Sequence, residues 1–200
     1  MVEKPTMKKH ILVELMSQLT TLTSEEEREI EKSFPIKIIE KGSFLLKEGE
    51  VSREAFFVIE GCVREFKLAD GVEKTTGFFT ENQPVINFDS MINQTPSNIS
   101  FICEEECLVA ILDTKKEKEL YKKHPRFETF CRSGVEQMLG AKHEQLSEFI
   151  TLSPEERYLN LQQKRPELIQ RVPQYHIASY LGIKPETLSR IRKRLLKKIA

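Results

Sequence analysis

Residues Pro173–Leu195 read PQYHIASYLGIKPETLSRIRKRL, and this stretch decides how the rest of the chain is understood. It predicts two short helices joined by a tight turn. In the first, Ile177, Ala178 and Leu181 fall on one face, and Ala178 is small enough to let a second helix cross close by. Gly182 follows, the residue type that most readily takes the left-handed conformation ending a helix. Ile183 turns back toward the core, and Pro185 stands at a first helical position, where a missing N–H costs nothing. In the second helix Leu188, Ile191 and Leu195 recur at i, i+3 and i+7 and bury one side. The opposite side presents Glu186, Thr187, Ser189, Arg190, Lys193 and Arg194.

That outward face has the chemistry of major-groove reading. Arg190 can form a bidentate pair with guanine O6 and N7, and Glu186 can accept from cytosine N4. Four residues apart, the two share one helical face. Glu186, Ser189 and Arg190 are the candidate base contacts. Gln174, Tyr175, Lys184, Thr187, Lys193 and Arg194 are the candidate phosphate contacts. An ordinary αα-hairpin with a surface Glu–Arg pair would not by itself bring together the apolar spacing, the small Ala178, the turn glycine and the basic flank.

The motif Glu186-Thr187-Leu188-Ser189-Arg190 resembles the E-[TS]-x-[SG]-R recognition helix of the Crp/Fnr transcription regulators. It is closer to the Fnr-like version than to the cyclic-AMP receptor, which has an Arg where Pro185 stands. Charge distribution agrees with a nucleic-acid-binding end. From Ser153 onward eleven lysines and arginines face four glutamates, a net +7, while the first 152 residues carry −7.

Upstream, Ile11, Leu12, Leu15, Leu19 and Leu22 have roughly helical spacing. Thr23-Ser24-Glu25-Glu26-Glu27 offers a capped start for a second helix ending near Phe34-Pro35. From Ile36 to about Leu112, short Val-, Ile- and Phe-rich runs alternate with turns, as in an antiparallel sandwich or barrel. Ala69-Asp70-Gly71-Val72 is a hairpin signal. Gly42, Lys47-Glu48-Gly49-Glu50 and Phe57–Arg64 are similar to the glycine turns and GxVR strand of the cyclic-nucleotide-binding jelly roll of the same family. The resemblance therefore covers essentially the whole chain.

A helix of about 27 residues, roughly 40 Å long, is expected from about Arg126 to Leu152. Val135, Met138, Lys142, Gln145, Phe149 and Leu152 repeat on a heptad-like pattern, with Leu139, Leu146 and Ile150 beside them. Half of this stripe is expected to pack on the barrel and half on the same helix of a second copy; packing wholly on its own barrel is the alternative. Ser153-Pro154-Glu155-Glu156 is a capping box that starts a new helix, which makes Leu152/Ser153 a hinge.

The expected fold is α+β. An N-terminal antiparallel jelly-roll barrel with a helical cap (1–122) is followed by a long dimerisation helix and hinge (123–152). An all-α helix-turn-helix domain (153–200) ends the sequence. Straight after the second helix it stops, so the β-hairpin wing usual in the family is expected to be truncated.

In nucleotide-binding members of the family, a Gly-Glu pair and, about ten residues on, an Arg-Ser/Thr pair hold the ribose and cyclic phosphate. The matching stretch here, Pro84–Ser100, contains no Gly, Glu or Arg. A cyclic phosphate would lack its bidentate cation, so the expectation is against a cyclic nucleotide and for an unidentified small-molecule effector. Candidate pocket residues are Arg64, Phe88 and Asn98, although a solvated strand cation is the plainer role for Arg64.

No cofactor is identified. His10, His124, His143 and His176 all fall outside the expected barrel, so no cupin-type metal site is expected. Cys62, Cys103, Cys107 and Cys131 show no C-x-x-C pair and read as reduced, mostly buried thiols. Cys103 and Cys107 share strand parity if their segment is continuous. Neither a nucleophile–base constellation nor a phosphate-binding glycine loop is present, so the reading is of a non-enzyme. No apolar run reaches 18 residues and MVEKPTMKKH has no secretory signal core, which makes a cytoplasmic location the expectation.

The resemblance implies DNA, a second copy of the chain and RNA polymerase as partners. A different class of function, a small-molecule-binding protein whose basic tail contacts a protein partner, is the alternative.

Overall fold

The computed structural model describes residues 9–199. Residues 1–8, which make up most of the stretch read for a secretion signal, and Ala200, where a wing would begin, lie outside the described residues.

Two helices open the described residues, α1 (Ile11–Leu19) and α2 (Ser24–Ser33). The capping box read from the sequence starts α2: the Thr23 hydroxyl accepts from the Glu26 N–H, and the Glu26 carboxylate accepts from the Thr23 N–H at 2.8 Å. Arg126 fixes the same carboxylate. Val13, Ile30, Phe34, Leu120 and Phe127 close a small core beneath this cap.

Eight strands follow, β1 (Ile36–Ile39), β2 (Phe44–Leu46), β3 (Glu54–Glu60), β4 (Val63–Ala69), β5 (Val72–Phe79), β6 (Gln83–Val85), β7 (Ser100–Cys103) and β8 (Cys107–Asp113). They form two antiparallel four-stranded sheets, ordered β1-β8-β3-β6 and β2-β7-β4-β5. This is jelly-roll order, in which strands adjacent in sequence are mostly split between sheets. Asp70 and Gly71 both take positive φ, 52° and 73°, as the two-residue β4–β5 hairpin requires. Phe56, Val58, Val63, Phe79, Phe101 and Val109 are among the side chains filling the interior, with Phe79 edge-on to Phe101 at 5.8 Å.

Among the described residues, four elements escape the sequence reading: β6, α3 (Phe88–Asn93), α4 (Thr114–Lys123) and a short helix at Pro166–Arg171. Strand β6 is three residues long and contains Pro84. Helix α4, TKKEKELYKK, buries only Leu120 and so shows almost no apolar period. Cys103 ends one strand and Cys107 begins the next, so the shared parity of a continuous strand does not arise. The thiols are mostly buried, as expected: Cys62, Cys103 and Cys107 are buried and Cys131 is exposed.

Helix α5 (Arg126–Thr151) follows and ends at extended Leu152. Ser153 caps α6 (Pro154–Lys164) through the capping box, with Pro154 at its first position. Helices α7 (Pro166–Arg171), α8 (Gln174–Tyr180) and α9 (Pro185–Ile199) complete the chain. Their core unites Tyr158, Leu161, Leu168, Val172, Ile177, Ala178, Leu181, Leu188 and Ile191 with Cys62 and Phe78 of the barrel. The terminal helices and the jelly roll therefore share one continuous apolar cluster.

Candidate nucleic-acid interface

The α8–α9 turn forms as its residues dictate. Gly182 has φ +69°; the Ile183 N–H reaches the Ala178 carbonyl and the Gly182 N–H reaches the Ser179 carbonyl, both at 3.0 Å. These two bonds are the Schellman closure of a helix. Pro185 opens α9, and Leu188 and Ile191 are buried beneath it, with Leu195 packed against the same core.

With that side fixed, Glu186, Ser189, Arg190, Lys193 and Arg194 are all exposed, as is Lys184 just before the helix; Thr187 is half-buried. The Arg190 Nε lies 3.4 Å from the Glu186 carbonyl oxygen, which holds the guanidinium along the outer face. Arg194 pairs with Glu155 of α6. Thr187, Arg190, Ile191 and Arg194 line a shallow open groove on this helix.

At the start of α8, the Gln174 side chain donates to the Ile169 carbonyl at 3.3 Å, whereas Tyr175 is exposed and rests against the His176 ring at 4.2 Å.

The basic end is not uniformly turned outward. Arg171 forms two 2.9 Å bonds to the two carboxylate oxygens of Glu81 and also engages Glu105. This hydrogen-bonded guanidinium holds the Glu81 carboxyl down to about 2, and the two carboxylates in turn push Arg171 up. Arg165 donates to the Phe78 carbonyl and the Thr80 hydroxyl, each at 2.9 Å. Tyr180 packs edge-on to Phe78 and receives a 2.7 Å bond from Gln145 of α5.

Arg157 clasps the expected hinge, donating to the Phe149, Leu152 and Leu181 carbonyls. The contacts of Arg165, Arg171 and Tyr180, and that of Arg157 with Leu181, are not foreshadowed by periodicity, because each joins residues tens of positions apart. Their one sequence signal is the acidic run Glu104-Glu105-Glu106, complementary to a basic tail.

The three expected pocket residues are placed apart in the fold. Arg64 lies in β4, 3% exposed, donating from Nε to Glu104 and from its second terminal nitrogen to Glu73. His176 of α8 approaches the same Glu104 carboxylate at 3.5 Å. The Arg64 side chain is thus buried rather than solvated, with Nε and one terminal nitrogen paired and the other terminal nitrogen buried without a hydrogen-bond partner among the described residues. Phe88 is exposed on α3, and Asn98 is exposed ahead of β7.

Along α5, several residues of the expected seam turn to their own chain. Lys142 lies over the Phe79 ring at 5.4 Å, Gln145 binds Tyr180, and Phe149 contacts Arg157 and the Gly182 turn. Met138 and Leu152 are half-buried, and Val135 is exposed. The most open apolar side chains are those read as flanking: Leu139 at 69%, Leu146 at 58% and Ile150 at 72%.

Comparison with known proteins agrees with this architecture. Residues 36–124 match the cyclic nucleotide-binding domain family. Among curated protein sequences, none matches this chain. Among solved structures, the c-di-GMP responsive global regulator CLP of Xanthomonas campestris is 17% identical with a TM-score of 0.69, over 88% of this chain and 93% of that one. A variant of CooA from Carboxydothermus hydrogenoformans is 15% identical with a TM-score of 0.69, over 92% and 84%. FixK2 from Bradyrhizobium japonicum is 14% identical with a TM-score of 0.67, over 82% and 85%. At these identities the likeness is one of fold. No helix among the described residues is long and apolar enough to cross a membrane. The chain thus joins a cyclic-nucleotide-binding-type domain to a helix-turn-helix, in the fold of the Crp/Fnr transcription regulators.

Proposed function

We propose that this protein is a homodimeric, sequence-specific DNA-binding transcription regulator and not an enzyme. The observation that carries the reading is the outer face of α9: Glu186, Ser189 and Arg190 project together from a helix whose opposite side is anchored by Leu188 and Ile191. A cylinder of that chemistry fits the major groove, where Arg190 pairs with guanine and Glu186 with cytosine. Lys184, Thr187, Lys193 and Arg194, with Gln174 and Tyr175 at the start of α8, supply contacts to the phosphates.

Two copies joined along α5 present two such helices about 34 Å apart on a near-palindromic site. The seam runs through Val135, Leu139, Leu146 and Ile150, the exposed apolar stripe, with Met138 and Leu152 at its margin.

The jelly roll acts as the sensing domain. Its stretch 84–100 has no arginine for a cyclic phosphate, and Arg64 is already paired with Glu73 and Glu104. The residues present do not fit a cyclic nucleotide, so the effector is a small molecule of another class.

Duplex binding measured against salt tests this reading. Wild-type protein should bind with affinity falling steeply as salt rises, and Lys193→Ala should weaken binding to every sequence and reduce the slope by about one. Salt-independent retention of a protein partner with no duplex binding would favour the sensor-with-protein-partner alternative.

A further inference from the structure

We propose that the jelly roll restrains the helix-turn-helix through a carboxylate cluster that stands in for DNA phosphates, with Glu81 and Glu105 holding Arg171 in competition with the duplex. This inference rests on the DNA-binding reading above and adds a means of regulation to it.

Arg171 lies three residues before Gln174, at the entrance to α8, the end of the motif that approaches the backbone of a bound duplex. Its guanidinium is spent on two carboxylates, one of them in fork-to-fork geometry at 2.9 Å on both prongs. Arginine recognises phosphate by the same planar, two-pronged donation. Close by, Glu104 approaches His176 of α8 at 3.5 Å while also binding Arg64. The first helix of the motif is therefore bordered by carboxylates of the β5–β6 and β7–β8 connections. Phosphates brought to this end of α8 would meet like charge, and Arg171 could not turn to them without leaving Glu81 and Glu105.

Apolar contacts favour the same docked arrangement: Cys62 and Phe78 of the barrel belong to the helix-turn-helix core. The reading face of α9 remains exposed throughout. What the docked state withholds is an anchoring cation and a phosphate-compatible surface beside it. Release requires α8 to leave β5, so an effector acting anywhere on the β4–β5 sheet or on α5 can bias it.

The experiment uses the full chain, in wild-type form and as the double variant Glu81→Gln/Glu105→Gln, which keeps side-chain volume. Hydrogen exchange of the β5 amides reports undocking, because the Thr75 N–H is bonded to Ser179 of α8. Binding to a mixed-sequence 30-base-pair duplex reports the freed cation. The double variant should exchange faster through β5. It should also bind the duplex about fivefold or more tightly, with a salt slope steeper by about one. Unchanged exchange in β5, or faster exchange with duplex affinity no higher than wild type, would overturn the competition. Absence of duplex binding by both proteins, with faster exchange in the variant, would instead remove the DNA reading itself and leave a clamp without a competitor.

Discussion

The backbone N–H of Thr75 in β5 donates to the hydroxyl of Ser179 in α8 at 2.9 Å, joining two residues 104 positions apart. At the next residue, Tyr180 rests on Phe78 and takes a hydrogen bond from Gln145. A strand of the jelly roll, the long helix and the first helix of the helix-turn-helix therefore meet at one point. A shift of α5 against β5 must be felt by α8, which is the structural basis for coupling the two halves of the chain.

Acid should loosen this junction. His176 is held below its usual 6.5 by burial first and by Arg64 second, with Glu104 and Glu73 opposing, so docking favours its neutral form. A depressed pKa means that the released chain binds the extra proton. The stabilisation present above pH 6.5 is then lost as the pH falls through the lowered value. Glu81, held down to about 2, adds a second loss between 4.5 and about 2. The protection factors of the β5 amides, taken relative to the base-catalysed intrinsic exchange at each pH, should fall as the pH drops below 6.5, and His176→Gln should flatten that step. An unchanged step in the variant would assign it to another group.

The exposed stripe on α5 predicts a separable defect. Leu146→Glu or Ile150→Glu should raise the dimer dissociation constant by about two orders of magnitude. Losing the burial of one large apolar side chain in each copy costs on the order of 3 kcal/mol. Sedimentation equilibrium would detect the monomer. Met138→Ala, altering a half-buried residue, should change association much less.

Gly61 tests the geometry of the β7–β8 connection. Its φ is +108°, and a Cβ there would lie 2.6 Å from the Cys107 sulfur and 2.8 Å from the Cys107 Cα. Both backbone strain and overlap oppose a side chain, so Gly61→Ala should destabilise by about 2–4 kcal/mol. Denaturant unfolding followed by circular dichroism measures this. Gly71→Ala, in an open hairpin turn with nothing within 4 Å, should cost less.

The helix-turn-helix was legible because its signals are local. Gly182 and Pro185 punctuate it, and Leu188, Ile191 and Leu195 mark its buried side within eight residues. The strands other than β6 were legible from turn glycines and β-branched runs to within one or two residues. Arg165, Arg171 and Ser179 were not, since a basic tail reads alike whether its arginines face DNA or a neighbouring domain. Only the fold shows that Arg171 faces Glu81. On α5, Lys142 and Gln145 contact their own chain while Leu139, Leu146 and Ile150 are the most open apolar side chains, and both sets fit a heptad-like spacing. Periodicity alone does not say which of two adjacent stripes is covered by the chain's own domains.

The central claim is that Arg190 and Glu186 read bases, and selection of binding sites from random duplexes addresses it most directly. The same selection with Arg190→Ala should return a motif in which one guanine position per half-site has lost its preference, with affinity for the wild-type site reduced by about 1–3 kcal/mol. An unchanged motif selected by Arg190→Ala would contradict the account.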